Sequence, residues 1–354
     1  MITLFRITSK TDQTAWDIKE SVNNIKWETD LNFAAGTLSF DLVNDTNDGR
    51  FKPNFGDIVE FQWDDQKIFY GYIFKLSYSE NQKFSVTAYD KLRYFKNQDS
   101  IVWPISTISQ RFETVAKMAE VAYKVINGSN YKLNAEVADS KTYFDMLKSA
   151  IDSTQKATNQ MYYLFANYDV VELRKAPFQE LNLIVGDQSL LTGFSYDGSI
   201  DEAANVVRIV KKDQEQSQNV SATADTSETT QTEDPSKTSF SYTDASGDTV
   251  SWWGKLQVVE NAKDKANDAQ MKQRAAELLK DKNRPTYSLK LTAIGNVSLI
   301  PGNSINIKIA DLDTIGFAIQ NAAILKATHN FSSDYTVDLE MKVNEPWLEN
   351  NSSA

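Results

Sequence analysis

The chain has no cysteine and a single histidine among 354 residues. Without cysteine there is no disulfide staple and no thiolate metal site. With one histidine, a catalytic triad or a histidine-based zinc site has no identifiable partners. Basic residues are outnumbered, 37 against 48 acidic, for a formal net charge of −11. Such a chain repels phosphate backbones, which argues against general nucleic-acid binding. No window approaches the roughly 18 consecutive apolar residues of a membrane span, so no membrane insertion is expected. The first residues, Met1-Ile-Thr-Leu-Phe-Arg-Ile-Thr8, lack a basic region followed by a long apolar run. They read as a strand rather than a signal peptide, so synthesis in the cytoplasm and a soluble product are expected. Asn127-Gly-Ser129 then carries no glycosylation meaning. Also missing are Gly-x-Ser-x-Gly, a phosphate-binding glycine loop and His-Glu-x-x-His.

What the chain does contain is one strand pattern written twice. The first copy runs Gly56-Asp-Ile58-Val59-Glu-Phe61, Phe69-Tyr70-Gly71-Tyr72-Ile73 and Phe84-Ser-Val86-Thr-Ala88-Tyr89. The second runs Gly302-Asn-Ser-Ile305-Asn-Ile307, Gly316-Phe317-Ala-Ile319 and Tyr335-Thr-Val337-Asp-Leu339. Upstream, Trp27 leading to Leu38-Ser-Phe40-Asp-Leu42 is loosely matched by Phe194 leading to Val206-Val207-Arg-Ile209-Val210. Two look-alike β-units per chain allow three chains to present six units around a ring. That is a way of joining a six-fold object to a three-fold one.

The length implies two to four domains, and 41% hydrophobic with 11% aromatic residues suffices for packed cores. The expected fold class is α+β, mainly β: two similar small β-barrels, one split by an insertion, plus a mixed α/β domain. Residues 1–99 form the first barrel, with period-two alternation at Thr37–Leu42, a hairpin loop at Trp63–Ile68 and a bend at Gly71. Residues 100–178 form the mixed domain. Its first helix starts at a Thr107/Gln110 capping box and runs to about Val125. Its second is capped by Asp139 or Ser140, with Phe144, Leu147 and Ile151 on one face, and a hairpin around Asn167 and Tyr168 follows. Residues 179–212 and 286–347 form the second barrel. Between them lie a polar loop, 213–238, too poor in apolar side chains to offset ordering entropy, and an insertion, 239–285. The insertion reads as a hairpin, Phe240–Tyr242 with Thr249–Ser251, and a helix from about Val258 to Lys282 with an alanine-rich stripe through Ala262, Ala266, Ala269 and Ala276. Residues 348–354 are a tail.

No catalytic, cofactor-binding or metal residue is assigned, and no cofactor is expected. His329, in Lys326-Ala-Thr-His-Asn-Phe331, reads as a polar strand residue. Asn44–Gly49 resembles the start of a calcium loop, but Phe55 stands where the bidentate Glu belongs. Asp311-Leu-Asp313 reads as a hairpin loop. Carboxylate pairs for glycoside hydrolysis carry no signal among 48 acidic residues. Trp252-Trp253-Gly254 with Trp16, Trp27 and Trp63 suggests either a sugar platform or core and interface packing. The acidic balance fits solubility, and it also fits an anionic channel wall past which DNA slides.

Ser85–Asn97, the capped helix from Thr107, the helix near Tyr143–Ser153, Met161–Phe165, and Ala275–Leu279 through Arg284-Pro285 to Pro301-Gly302 together resemble phage tail hub proteins of the XkdQ/YqbQ (PBSX-type) family. The resemblance covers about residues 20 to 346; the 213–238 loop is its least family-like part. It implies a homotrimer whose six tube-like barrels form a pseudo-six-fold ring in a contractile-tail baseplate, of a phage or an R-type bacteriocin. One face would receive the hexameric tail tube protein and the other the trimeric central spike protein. Other baseplate proteins and, through the channel, the tape-measure protein are the further partners implied. The role is structural, with no enzyme activity and no sequence-specific nucleic acid. The competing reading is a cell-wall glycan-active or glycan-binding β-rich protein; a secreted binding module is a third, disfavoured by the missing signal.

Overall fold

The computed structural model describes residues 1–43, 51, 53–79, 83–214, 238–262, 266–314 and 321–343. The chain divides into two compact units, residues 1–196 with 288 onward, and residues 197–287.

The first unit begins with β1 (Ile2–Thr8), β2 (Ala15–Asp17), β3 (Val22–Asp30), β4 (Thr37–Val43), β5 (Ile58–Trp63), β6 (Gln66–Ser79) and β7 (Lys83–Asp90). In β4 the alternating Leu38, Phe40 and Leu42 are buried, each adding about 2 kcal/mol of apolar burial. The expected loop between β5 and β6 is a tight two-residue turn. Asp64 and Asp65 both take positive φ, 47° and 59°, and such turns match the twist of a hairpin. Gly71 is demanded by close approach: a Cβ there would lie 2.2 Å from the Tyr89 carbonyl oxygen.

The mixed region follows as a 3-10 turn, Lys91–Lys96, then β8 (Gln98–Trp103), α1 (Ile108–Met118), β9 (Tyr123–Val125), β10 (Glu136–Thr142), α2 (Tyr143–Thr158), β11 (Met161–Asn167) and β12 (Val170–Ala176). The Thr107/Gln110 capping box forms. The helix stops earlier than the expected Val125, because Glu120 turns to φ 53° and the chain enters β9, parallel to β12. Thr142, rather than Asp139 or Ser140, caps α2, its hydroxyl accepting from the Asp145 N–H. The other two residues lie in β10. Phe144, Leu147 and Ile151 face Phe112 and Val115 in one core. Alternate residues of β11 serve two cores: Tyr162 and Leu164 this one, Tyr163 and Phe165 that of the main sheet.

Next come β13 (Glu180–Gly186), β14 (Leu191–Ser199), β15 (Val206–Gln214), β16 (Thr238–Ser246), α3 (Val250–Trp253), β17 (Gln257–Asn261) and α4 (Asp268–Lys282). The chain closes with β18 (Thr286–Ile294), β19 (Ser304–Lys308), α5 (Ala310–Thr314), β20 (Asn321–Phe331) and β21 (Thr336–Lys342).

In the second unit β15 pairs antiparallel with β16 and parallel with β17. The partner of Phe240–Tyr242 is therefore β15 and not the expected Thr249–Ser251, since Val250 and Ser251 are helical. The long helix expected from Val258 starts at Asp268, where Asn267 and Gln270 build a capping box. Val258 and Val259 belong to β17. The helix buries Met271 and Ala275 against Val207 and Ile209, not the alanine stripe through Ala269 and Ala276. Of the 213–238 loop, residues 215–237 lie outside the described residues, while Asp213, Gln214 and Thr238 continue strands. The 348–354 tail also lies outside them.

The repeat is present in the strand order. The first copy runs β3-β4-β7-β6-β5-β1, the second β14-β18-β21-β20-β19-β13. Gly56 and Gly302 open equivalent strands at φ +85° and +89°. The Gly56 N–H donates to the Ile73 carbonyl and the Ile73 N–H returns to Asp57; Gly302, Ile324 and Asn303 repeat both bonds. Each copy then bulges at the next residue, Phe74 between Ile73 and Lys75, Leu325 between Ile324 and Lys326. The loose upstream match is replaced. β4 corresponds to β18, which pairs β21 as β4 pairs β7, whereas Val206–Val210 belongs to the second unit's sheet. Gly316–Ile319 lies outside the described residues, and β20 provides the strand of that place.

The two expected closed barrels are not formed by this pairing. Among the described residues neither six-strand array closes on itself, and both join one 13-stranded sheet. The reason is the length of β20. One of its edges serves β19 over Asn321–Ala323 and then β3 over Lys326–Phe331, so the first array fuses to the second.

A candidate functional site at the junction of the two repeats

The β20–β3 junction is antiparallel, with His329 opposite Trp27 and Phe331 opposite Ile25. It gathers aromatic side chains from both copies. Trp63 lies 4.9 Å from Phe331 and 5.2 Å from Tyr335, ring to ring. Phe61 meets Phe331 at 4.9 Å, and Trp27 meets His329 at 5.1 Å. Offset and edge contacts at such spacings add to plain area burial.

His329, the strand histidine of the sequence, is fully buried in this seam. Its ring nitrogens lie 2.7 Å from the Tyr335 hydroxyl and 3.1 Å from the Leu299 carbonyl. A carbonyl can only accept, so Nε2 carries the proton and Nδ1 accepts from Tyr335. Burial pushes the imidazole down to about 4, against the weaker raising effect of the Leu299 carbonyl, so it is neutral near pH 7. Asp90 is the opposite case. It caps the 3-10 turn and accepts from the Gly36 and Leu92 N–H groups, yet burial outweighs both donors and pushes it up to about 7.

The two groups give opposed pH dependences. A histidine whose folded value is depressed loses stability as pH falls from about 6.5 to 4, a swing of about 3 kcal/mol. A carboxyl whose folded value is raised stabilises fully below its unfolded value. That contribution, about 4 kcal/mol, is lost as pH rises from about 4 to 7. We expect urea midpoints of the native chain to vary little between pH 4 and 7. Asp90→Asn should make stability rise with pH, and His329→Gln should make it fall. Parallel slopes in both variants would contradict this.

The remaining sequence candidates are scattered. Asn44–Gly49 lies outside the described residues, and Phe55 is exposed. Asp311 and Asp313 sit on the short helix α5, not in a hairpin loop. Among the described residues no three His, Asp or Glu side chains come together as a metal cluster. Trp27 is only 5% exposed and cannot stack on a sugar, whereas Trp252 is exposed on α3.

One feature escaped the sequence. Glu172 and Arg174 alternate with apolar residues on β12, yet both are buried. Arg174 lies between the Phe165 and Phe178 rings, at 4.3 and 4.2 Å. Glu172 accepts from Arg174 at 2.7 Å and from the Asn167 amide at 3.0 Å. The signal was there in the aromatic residues on both sides of β12, but only if that strand is covered on two faces.

The fold of this chain is similar to that of prophage tail proteins. The 43 kDa tail protein of prophage MuSo2 from Shewanella oneidensis matches with a TM-score of 0.66 at 10% identity, over 96% of this chain and 98% of that one. In sequence, YqbQ of Bacillus subtilis (strain 168) is 27% identical over 260 residues, 73% of each chain. The phage-like element PBSX protein XkdQ of the same organism is 26% identical over 259 residues, 72% of this chain and 73% of that one. The YQBQ-like family model matches residues 25–342, and the chain belongs to that family.

Proposed function

We propose that the chain is the structural hub of a contractile-tail baseplate, without catalytic activity. Three copies form a pseudo-six-fold ring, whose repeats receive the hexameric tail tube on one face and the trimeric spike on the other. The observation that carries this reading is the same strand order built twice in one chain, with matching glycines and a matching bulge, the sixth strand alone differing in direction, antiparallel for β1 on β5 and parallel for β13 on β19. The name of XkdQ as a PBSX protein and the fold shared with a prophage tail protein support a place in a virion or bacteriocin tail. The mixed domain and the second unit brace neighbouring subunits or baseplate arms. The ring encloses a channel for the tape-measure protein, and its acidic balance keeps phosphates from sticking.

Light scattering tests this. The expected mass is that of three 40.0 kDa chains, alone or on mixing with tube protein. A particle that stays monomeric with both tube and spike proteins would overturn the proposal.

A further inference from the structure

The face of β6 turned away from the Phe69 and Ile73 core carries Tyr70, Tyr72 and Phe74, all half-buried. Each of these rings lies under a cation. Lys91 Nζ is 5.2 Å from the Tyr70 ring centre, Lys10 Nζ is 5.1 Å from that of Tyr72, and the Arg93 guanidinium is 5.1 Å from that of Phe74. Tyr168, 5.5 Å from Tyr70, extends the ledge and carries Lys67 at 5.0 Å. Such contacts hold a cation in place but leave its charge uncancelled, because a ring offers a quadrupole and no net charge.

The carboxylates beside the ledge are engaged elsewhere. Glu60 pairs with Arg6 and accepts from the Tyr168 hydroxyl at 2.9 Å. Asp57 is buried and accepts from the backbone N–H groups of Lys10 and Asn54. Lys91 donates to the backbone carbonyl of Asp169, at 2.7 Å. Among the described residues none of the four cations forms an ion pair.

In the second repeat the matching face is covered. The Gly56 and Gly302 N–H groups donate to Ile73 and Ile324, so Ala323 stands for Tyr72 and Leu325 for Phe74. Ala323 is fully buried, and Lys342, opposite it on β21, reaches Met161 of β11. A polypeptide strand therefore lies against that face. β11 occurs once in the chain, and the rings of the first repeat stay half-buried.

We propose that this ledge docks carboxylates of a second copy of the chain. Charge complementarity argues for that occupant. The formal charge is −11, and with the four cations set aside the remainder stands at −15, so every copy brings the complement. Net repulsion between copies is screened beyond about 8 Å at physiological ionic strength, whereas partly buried pairs in contact are screened much less. A nucleic acid fits less well, since stacking bases need open ring faces and each ring here already holds a cation. A ledge that meets a different surface of the next copy makes a head-to-tail contact, as a closed ring requires. This deepens the hub reading and rests on it for setting copies side by side.

A carbodiimide joins an ammonium to a carboxylate held in contact with it. Isotope-labelled and unlabelled chains, mixed with tube protein and treated with the reagent, should show Lys10, Lys67 or Lys91 joined to Asp or Glu of the other isotope. Lys10→Glu/Lys67→Glu should weaken association about tenfold by light scattering. Lys132→Glu/Lys141→Glu, exposed lysines outside the ledge, adds the same charge and should weaken it about twofold at most. Thermal unfolding of both variants should match that of the native chain. A complex whose ledge lysines couple only to their own chain, to tube protein or to nothing would overturn the docking and leave the hub reading standing. Equal weakening by the two variants would do the same. Duplex DNA that binds and protects these lysines would assign the ledge to phosphate and also overturn it. A chain that stays monomeric with tube and spike proteins would overturn both readings.

Discussion

Gly302→Ala should destabilise the protein by about 4 kcal/mol, and the equivalent Gly56→Ala by only about 1 kcal/mol. Both glycines hold a left-handed backbone, φ +89° and +85°, so both variants carry the same strain on their own chain. They differ in what a methyl group meets. At Gly56 nothing lies within 4 Å, while at Gly302 a Cβ would sit 2.1 Å from the Tyr163 hydroxyl and 2.2 Å from its ring. Tyr163 is fully buried in the main core and has nowhere to move. The backbone cannot retreat either. The Gly302 N–H donates to Ile324 at 2.9 Å, and its carbonyl accepts from Phe178 at 2.7 Å. Guanidinium denaturation with an unchanged m-value is the measurement. Equal losses at the two sites would show that only the dihedral strain matters.

Glu172→Ala should cost about 3–5 kcal/mol, because it strands the Arg174 guanidinium in the interior without its counter-charge. The two phenyl faces at 4.3 and 4.2 Å attract the cation, but such contacts are worth about 2 kcal/mol at most when desolvated. They cannot replace the charge-assisted hydrogen bond and ion pair that Arg174 makes with Glu172. Replacing both partners with apolar residues of similar volume, Glu172→Leu with Arg174→Met, should restore most of the loss, since neither charge then needs to be desolvated. A double-mutant cycle by chemical denaturation reads the coupling directly. A double variant as unstable as Glu172→Ala would show that the pair supplies shape rather than charge compensation.

Much of the local structure was legible in the chain. The Thr107/Gln110 box caps α1 because the residues that satisfy each other's backbone groups are three apart, and that spacing is visible without coordinates. The burial of Leu38, Phe40 and Leu42 follows from period two. Errors came where a neighbour distant in sequence set the outcome. Val258 and Val259 fit a helical stripe, but β15 recruits them into a ladder. The charges of Glu172 and Arg174 carry no sign of burial in the sequence, and it is the cover on both sides of β12 that buries them. His329 sits in a strand, as its neighbours imply, yet nothing in those neighbours announces that β3 buries it.

The sequence by itself determined that the chain is mainly β, contains one unit twice, and lacks cysteine chemistry. Composition, alternation and turn glycines are local properties, and local sterics and burial read them directly. Only the tertiary structure decided how the two copies meet. A strand edge carries the same N–H and C=O groups whatever its side chains, so its partner is chosen by register and length in space. The reach of β20 past β19 is what turned two expected barrels into one continuous sheet.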